Sequence, residues 1–217
     1  MTQTSPLHRI RLMYQRMDAL RYISHLEMQQ VWERTFRRAR LPLAYSQGFN
    51  PHPRLQMASA LPLGFLSRCE IVDVWLEGPH EAGEVQVRAQ ASVPPGLRIE
   101  AAESVPLQSP PLQTQVQAAE YLARLLDPVE LSQVQAALHS LLQADSLPRE
   151  RRGKQYDLRP LVEVLELRQE SSTDQPALFM RLTACEGATG RPEEVLDVLG
   201  LDPTAARIER TALILAH

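Results

Sequence analysis

Two histidines sit where their surroundings could give them chemistry. His25 lies in Ser24-His25-Leu26-Glu27, just inside an expected helix N-terminus, where the positive end of the dipole disfavours protonation. A neutral imidazole there can act as a general base or bind a metal; it can equally donate to a nearby carbonyl and fix the turn. His52 lies between Pro51 and Pro53, so its backbone is stiff and its ring is presented at a defined angle. The two could serve as acid and base beside a ribose 2′-hydroxyl if the fold brings them within reach. His25, Glu27, His52 and Asp73 also carry groups that suit zinc or iron. No two of them have a diagnostic ligand spacing, and there is no His-x-x-x-His and no Cys-x-x-Cys. No metal and no cofactor are expected.

Around these histidines lie residues suited to recognition. Gln47 and Asn50 offer both donors and acceptors, as base edges require, or they satisfy loop backbone groups. Phe49 and Tyr45 can stack on bases, or anchor their loop to the core. Arg34, Arg37 and Arg38 gather with Gln30 on one part of a helix surface, and Arg54 follows the Gly/Pro turn. Farther on, Arg149-Glu150-Arg151-Arg152-Gly153-Lys154 offers Arg151, Arg152 and Lys154 as phosphate contacts, or is a solvated loop. If the fold sets this run beside the helix arginines, the two patches line one groove between domains. Binding would then fall steeply with salt.

The 217 residues fit one large domain or two small ones, and an apolar fraction of 44% lets each half bury a core. Net charge is −3 but unevenly placed: residues 1–60 hold nine Arg against three acidic side chains, and the acidic excess lies after them. A basic first part beside an acidic remainder favours a polyanion docking on one side, or simply solubilises an exposed helix. Cys69 and Cys185 are far apart and read as small buried residues, in keeping with a reducing compartment. There is no apolar run long enough to span a membrane and no signal-peptide core, so a soluble, cytoplasmic protein is expected. A Cys-x-x-x-Cys-x-x-Cys cluster, a glycine-rich phosphate loop and a nucleophile elbow are all missing, which excludes those enzyme classes.

The elements that must hold these residues follow from periodicity. Leu7 to Tyr14 alternates as a half-buried strand. Ser24 and Glu27 form a capping box, and Met28, Trp32, Phe36 and Ala39 give the helix behind it a buried stripe. Strands are expected over Leu55–Ala60, Cys69–Glu77 and Leu97–Ala101, with a helix over Ala82–Ser92. Residues 106–114, with Pro106, Pro110 and Pro111, read as a linker. In the second half, Val116–Leu125 fits helix or strand. Asp127-Pro128 predicts a helix start, with Leu131, Val134, Leu138 and Leu141 facing the core. Ser146–Gln169 reads as a basic loop followed by a strand or short helix. A strand over Leu178–Leu182, a short helix from Pro192 to Gly200 and a strand over Arg207–Leu215 complete the chain. The order predicts an α+β fold of two tandem ferredoxin-like (βαββαβ) halves, residues 1–105 and 115–217.

Taken together, Ser24-His25-Leu26-Glu27, Arg37-Arg38-Ala39, the run Leu41 to Pro53 and Ala60-Leu61-Pro62-Leu63-Gly64 resemble the radical-SAM-associated domain family of unassigned function. The likeness extends to Glu70, Asp73 and Asp157-Leu158-Arg159-Pro160. Such domains are often fused to, or encoded beside, a cobalamin-binding radical SAM protein, commonly near genes for ribonuclease E/G and ribosomal proteins. The chain departs from the pattern at Glu27, where Asp is usual, and at Gln15, where Lys is usual. A looser similarity, of architecture and basic first helix only, is to tandem ferredoxin-like proteins that bind and cut CRISPR repeat RNA. The resemblance implies an accessory RNA-binding module acting with a radical SAM partner on tRNA or rRNA. A metal-independent RNA-cleaving or other hydrolytic enzyme using His25 is the alternative, and a protein-binding scaffold for the partner is the third reading.

Overall fold

The computed structural model describes residues 6–151, 153–169 and 175–216. The chain divides into two compact units, Met1–Gln115 and Val116–His217.

The first unit contains β1 (Leu7–Arg16), α1 (His25–Arg38), β2 (Leu55–Met57), β3 (Leu66–Glu77), α2 (Ala82–Gln90), β4 (Leu97–Val105) and a single helical turn, α3 (Leu112–Gln115). β1 pairs antiparallel with β3 and with β4, and β2 pairs antiparallel with β3. Alternation along β1 sends Ile10, Leu12 and Tyr14 into a core with Val72, Val74 and Leu76 of β3. The stripe expected on α1 closes that core: Met28, Trp32, Phe36 and Ala39 are all buried. Tyr14 meets Trp32 edge-on at 4.8 Å, and Trp32 stacks on Phe36 at 5.1 Å.

Two side chains on the opposite face of β1 are internal as well. Arg9 and Arg11 are buried, and both donate to Asp73, which lies opposite Arg11 on β3. Arg9 also donates to the carbonyls of Ser109 (2.8 Å) and Pro110 (3.1 Å), so the proline-rich segment is tied to this unit's sheet. Leu112 is fully buried, and its N–H donates to the Gln56 side chain at 3.1 Å.

The second unit contains β5 (Val116–Leu125), α4 (Leu131–Gln143), the hairpin β6 (Pro148–Arg151) and β7 (Lys154–Asp157), then β8 (Val162–Gln169), β9 (Pro176–Cys185), β10 (Ala188–Thr189), α5 (Pro192–Val198) and β11 (Ala206–Leu215). β5 pairs antiparallel with β9 and β11, and β8 pairs antiparallel with β9. Leaving the β6–β7 hairpin and β10 aside, each unit pairs its first strand with its third and fourth and its second with its third. Both units are α+β, with antiparallel pairing throughout these ladders.

Three expectations need correction. The helix expected from Asp127-Pro128 begins at Leu131, with Glu130 as a cap whose side chain accepts from Ser132 Oγ at 2.9 Å but makes no capping bond to the helix backbone. Leu126 N–H still bonds the Ala205 carbonyl beside the sheet, so residues 127–130 are needed to turn the chain. The stretch read as a basic loop is the β6–β7 hairpin: Glu150 lies opposite Gln155, whose amide donates to it at 2.7 Å, and Gly153 turns the chain at φ 75°. Cys69 and Cys185 form no disulfide and are only half-buried.

Candidate nucleic-acid interface

The first group of residues forms where α1 begins. Ser24 Oγ accepts from the Glu27 N–H at 3.2 Å, and the Glu27 carboxylate accepts from the Ser24 N–H at 2.7 Å. The bond from the Ser24 N–H, and secondly one from the Ser24 side chain, hold the Glu27 carboxyl below its ordinary value. Ahead of the cap, the buried Arg16 guanidinium donates to the carbonyls of Leu20 (2.9 Å), Arg21 (3.1 Å) and Ile23 (2.6 Å), fixing the approach. Arg21 and Gly64 then bond each other twice. The Gly64 N–H donates to the Arg21 carbonyl at 3.0 Å, and Arg21 Nε donates to the Gly64 carbonyl at 2.6 Å. Two motif segments some forty residues apart are thereby joined.

His25 opens the helix, half-buried. Its pKa is lowered, and the largest cause is burial. The Glu70 carboxylate opposes the shift, and the Arg16 charge adds to it. The imidazole is neutral at physiological pH. Three side chains around this end stay exposed although apolar in whole or part: Tyr22 (72%), Leu26 (71%) and Leu63 (60%). Local periodicity did not single out Arg16, Arg21 or Tyr22, and Glu70, Leu26 and Leu63 entered only as parts of the motifs; the bonds between the two motif segments bring them together.

The second group is the loop from Ser46 to Pro53. Ser46 N–H donates to the His52 carbonyl (2.8 Å), and Ser46 Oγ accepts from the His52 N–H (3.0 Å), so the loop is closed at its neck. Tyr45 and Pro53 bridge below that point. Arg54 and Trp75 lock the base: the Trp75 N–H donates to the Arg54 carbonyl at 3.0 Å, and the Arg54 guanidinium lies 5.0 Å over the Trp75 ring. Gly48, at φ 136°, sets a backbone conformation that a side chain would strain. Gln47, Asn50 and His52 are exposed, and Phe49 is wholly so, at 107%. Phe49 therefore does not anchor this loop to the core; its ring stands in solvent.

His25 faces the charge of Glu70, whereas the His52 loop is rooted at Trp75 of the same strand. Five residues of strand separate those positions by about 17 Å. Glu27 is occupied in capping and Asp73 in pairing with arginines. Among the described residues no group of three His, Cys, Asp or Glu side chains is placed to hold a metal.

The third group is a stripe on α1. Arg34, Arg37 and Arg38 are exposed and lie three and four residues apart, which puts them on one side of the helix. Among the described residues, only Arg37 of the three has a carboxylate near, Glu33 at 3.9 Å, a loose and solvated pair. The basic excess of residues 1–60 is smaller outside than in composition, because Arg9, Arg11 and Arg16 are internal. In the second unit Arg151 and Lys154 are exposed on the hairpin, and Arg149 faces Glu194 (4.0 Å) and Asp197 (3.5 Å). Arg152 lies outside the described residues.

These features define a two-unit α+β protein with a cationic helix and an exposed aromatic loop in its first unit. The chain belongs to the DUF2344 family, described as an uncharacterized protein conserved in bacteria, whose model matches residues 9–192. No curated protein matches it. Among solved structures it is similar to a chain of a Cbf5-Nop10-Gar1 complex, at 12% identity over 93% of this chain and 48% of that one, with a TM-score of 0.47. It is also similar to a chain of an H/ACA RNP bound to a substrate RNA containing 2′-deoxyuridine (12% identity, 92% and 46% covered, TM-score 0.41). A third is a chain of the archaeal box H/ACA sRNP Nop10-Cbf5 complex (12% identity, 91% and 46%, TM-score 0.42). The chain spans about half the length of these structures. Among the described residues no helix is long and apolar enough to cross a membrane.

Proposed function

We propose that the chain is an RNA-binding accessory module of two ferredoxin-like halves, working with a radical SAM enzyme in tRNA or rRNA modification or processing. The observation that carries the RNA reading is the wholly exposed Phe49 on a loop braced at neck and base, which begins eight residues after the arginine-bearing helix ends. An aromatic ring held in water costs free energy unless something covers it, and a base is a flat apolar cover. Arg34, Arg37, Arg38 and Arg54 would take phosphates while Gln47 and Asn50 meet base edges; Arg151 and Lys154 would add contacts from the second unit. The shared strand-pairing order supports the ferredoxin-like reading. The radical SAM partner is supported by the sequence resemblance, and the exposed Tyr22, Leu26 and Leu63 suit contact with a protein. Electrophoretic shift against total tRNA and rRNA over a salt series tests the reading: salt-sensitive retardation supports it, and free RNA at every salt concentration rejects it in favour of a scaffold.

A second reading has its own observation. A half-buried His25 whose pKa is lowered by burial, facing the Glu70 charge, suits proton transfer and supports a hydrolytic role that uses His25. Incubating RNA with the wild-type protein and with His25→Ala decides it: cleavage lost in the variant supports this role, and intact RNA with the wild type removes it.

A further inference from the structure

We infer that the second unit carries a separate site for a phosphomonoester, either the phosphate of a free nucleotide or the phosphorylated end of an RNA. The β6–β7 hairpin and the β9–β10 turn enclose an open cavity of about 740 Å³, within the usual range for small-ligand clefts. The hairpin contributes Arg151, Lys154 and Tyr156; the turn and the start of α5 contribute Thr189 and Arg191. Arg191 was not singled out in the sequence, because it lies some forty residues from the basic run it joins.

The geometry of the turn is set by two glycines. Gly187 reverses the chain at φ 82°. A Cβ on Gly190 would meet the Leu161 carbonyl oxygen at 3.0 Å and the Leu182 side chain at 3.1 Å, so a side chain there would push the turn away from Leu161. Arg191 follows immediately and is carried to the cavity wall.

Charge favours an anion. Three cations line the cavity against one carboxylate, Asp157, whose Oδ1 already accepts from the N–H groups of Leu147 (2.7 Å) and Arg159 (3.0 Å). Glu194 lies near Arg149 and acts on the Tyr156 hydroxyl, and burial pushes the Glu193 carboxyl up while the Arg151 charge opposes that shift. Guanidinium groups bind phosphate oxygens in pairs, and lysine adds a point charge. Leu161, Pro160 and the Tyr156 ring give the same cavity an apolar wall suited to a nucleoside base. The site shares Arg151 and Lys154 with the RNA reading but rests on the cavity and on Arg191, not on that reading.

Isothermal titration of the full chain with adenosine 5′-monophosphate and with adenosine tests the assignment. The monophosphate should bind at least about tenfold more tightly than the nucleoside, and Arg191→Gln and Lys154→Gln should each weaken it by about tenfold. Arg168→Gln removes the same charge from an exposed pair with Glu166 outside the cavity lining, and should leave binding unchanged. Equal or absent binding of the two ligands, or an equal loss with Arg168→Gln, overturns the site. Short RNAs with a 5′-phosphate or a 5′-hydroxyl separate the sources. A preference for the phosphate that Arg191→Gln abolishes assigns the site to RNA ends; monophosphate binding without that preference assigns it to a free nucleotide. RNA retardation without monophosphate binding overturns this site alone, and monophosphate binding without RNA retardation overturns the RNA reading alone.

Discussion

The Arg9 guanidinium donates to one oxygen of Asp73 through both Nε (2.9 Å) and Nη2 (2.6 Å), and both side chains are buried. Arg11 takes the other oxygen at 2.9 Å, and the Trp75 ring lies 4.8 Å beneath Arg9. Removing one partner of such a pair leaves an uncompensated charge in a medium that solvates it poorly. Asp73→Asn should therefore destabilise the protein by about 3–5 kcal/mol in chemical denaturation. A loss below about 1 kcal/mol would show that water reaches this network.

Ser24→Ala removes an acceptor for the Glu27 N–H and loosens the reciprocal bond. The expected cost is about 1 kcal/mol. Because the same cap positions His25, its ring resonances should also shift in an NMR spectrum, and unchanged resonances would separate cap from histidine.

His25 titrates below its ordinary value of 6.5 in the folded state. Its contribution to stability is complete above about pH 6.5, where the unfolded imidazole is also neutral, and is lost as pH falls through the lower folded value. His25→Gln should flatten the stability profile in that acidic window and leave it unchanged at pH 8. Glu70 opposes the shift, so Glu70→Gln should move the His25 midpoint lower still in an NMR titration. A midpoint that rises instead would mean that Glu70 acts on His25 other than through its charge.

Phe49→Ala removes a side chain that packs on nothing in its own unit. Stability should change by less than about 0.5 kcal/mol. Affinity for RNA should fall by about 1–3 kcal/mol if the ring stacks on a base. A variant that loses stability and keeps its RNA affinity would assign the ring to the fold.

The parts of the fold visible in the sequence are those set by neighbours in the chain. Ser24 and Glu27 announce their helix because the capping box closes over three residues, and Met28, Trp32 and Phe36 repeat at the helical spacing. β5 was ambiguous because Ala118, Ala119, Leu122 and Ala123 are good helix formers, and Leu122 puts an apolar residue on the half-buried face beside Glu120 and Arg124. Alternation alone puts Arg9 and Arg11 on the face of β1 opposite Ile10, Leu12 and Tyr14. Their partner Asp73 is more than sixty residues away, so nothing local marks them as internal. The candidate site divides in the same manner. The exposed loop and helix stripe were legible from composition and Gly/Pro placement. The surroundings of His25 depend on Arg16 and Glu70, which only strand pairing brings near.

Fluorescence anisotropy with a labelled tRNA over a salt series, comparing wild type with Arg34→Gln/Arg37→Gln/Arg38→Gln, reads the central claim most directly. The triple variant should bind more weakly at low salt, with a log–log salt slope shallower by about 2, as three lost phosphate contacts require. Identical slopes and affinities for the two proteins would contradict it.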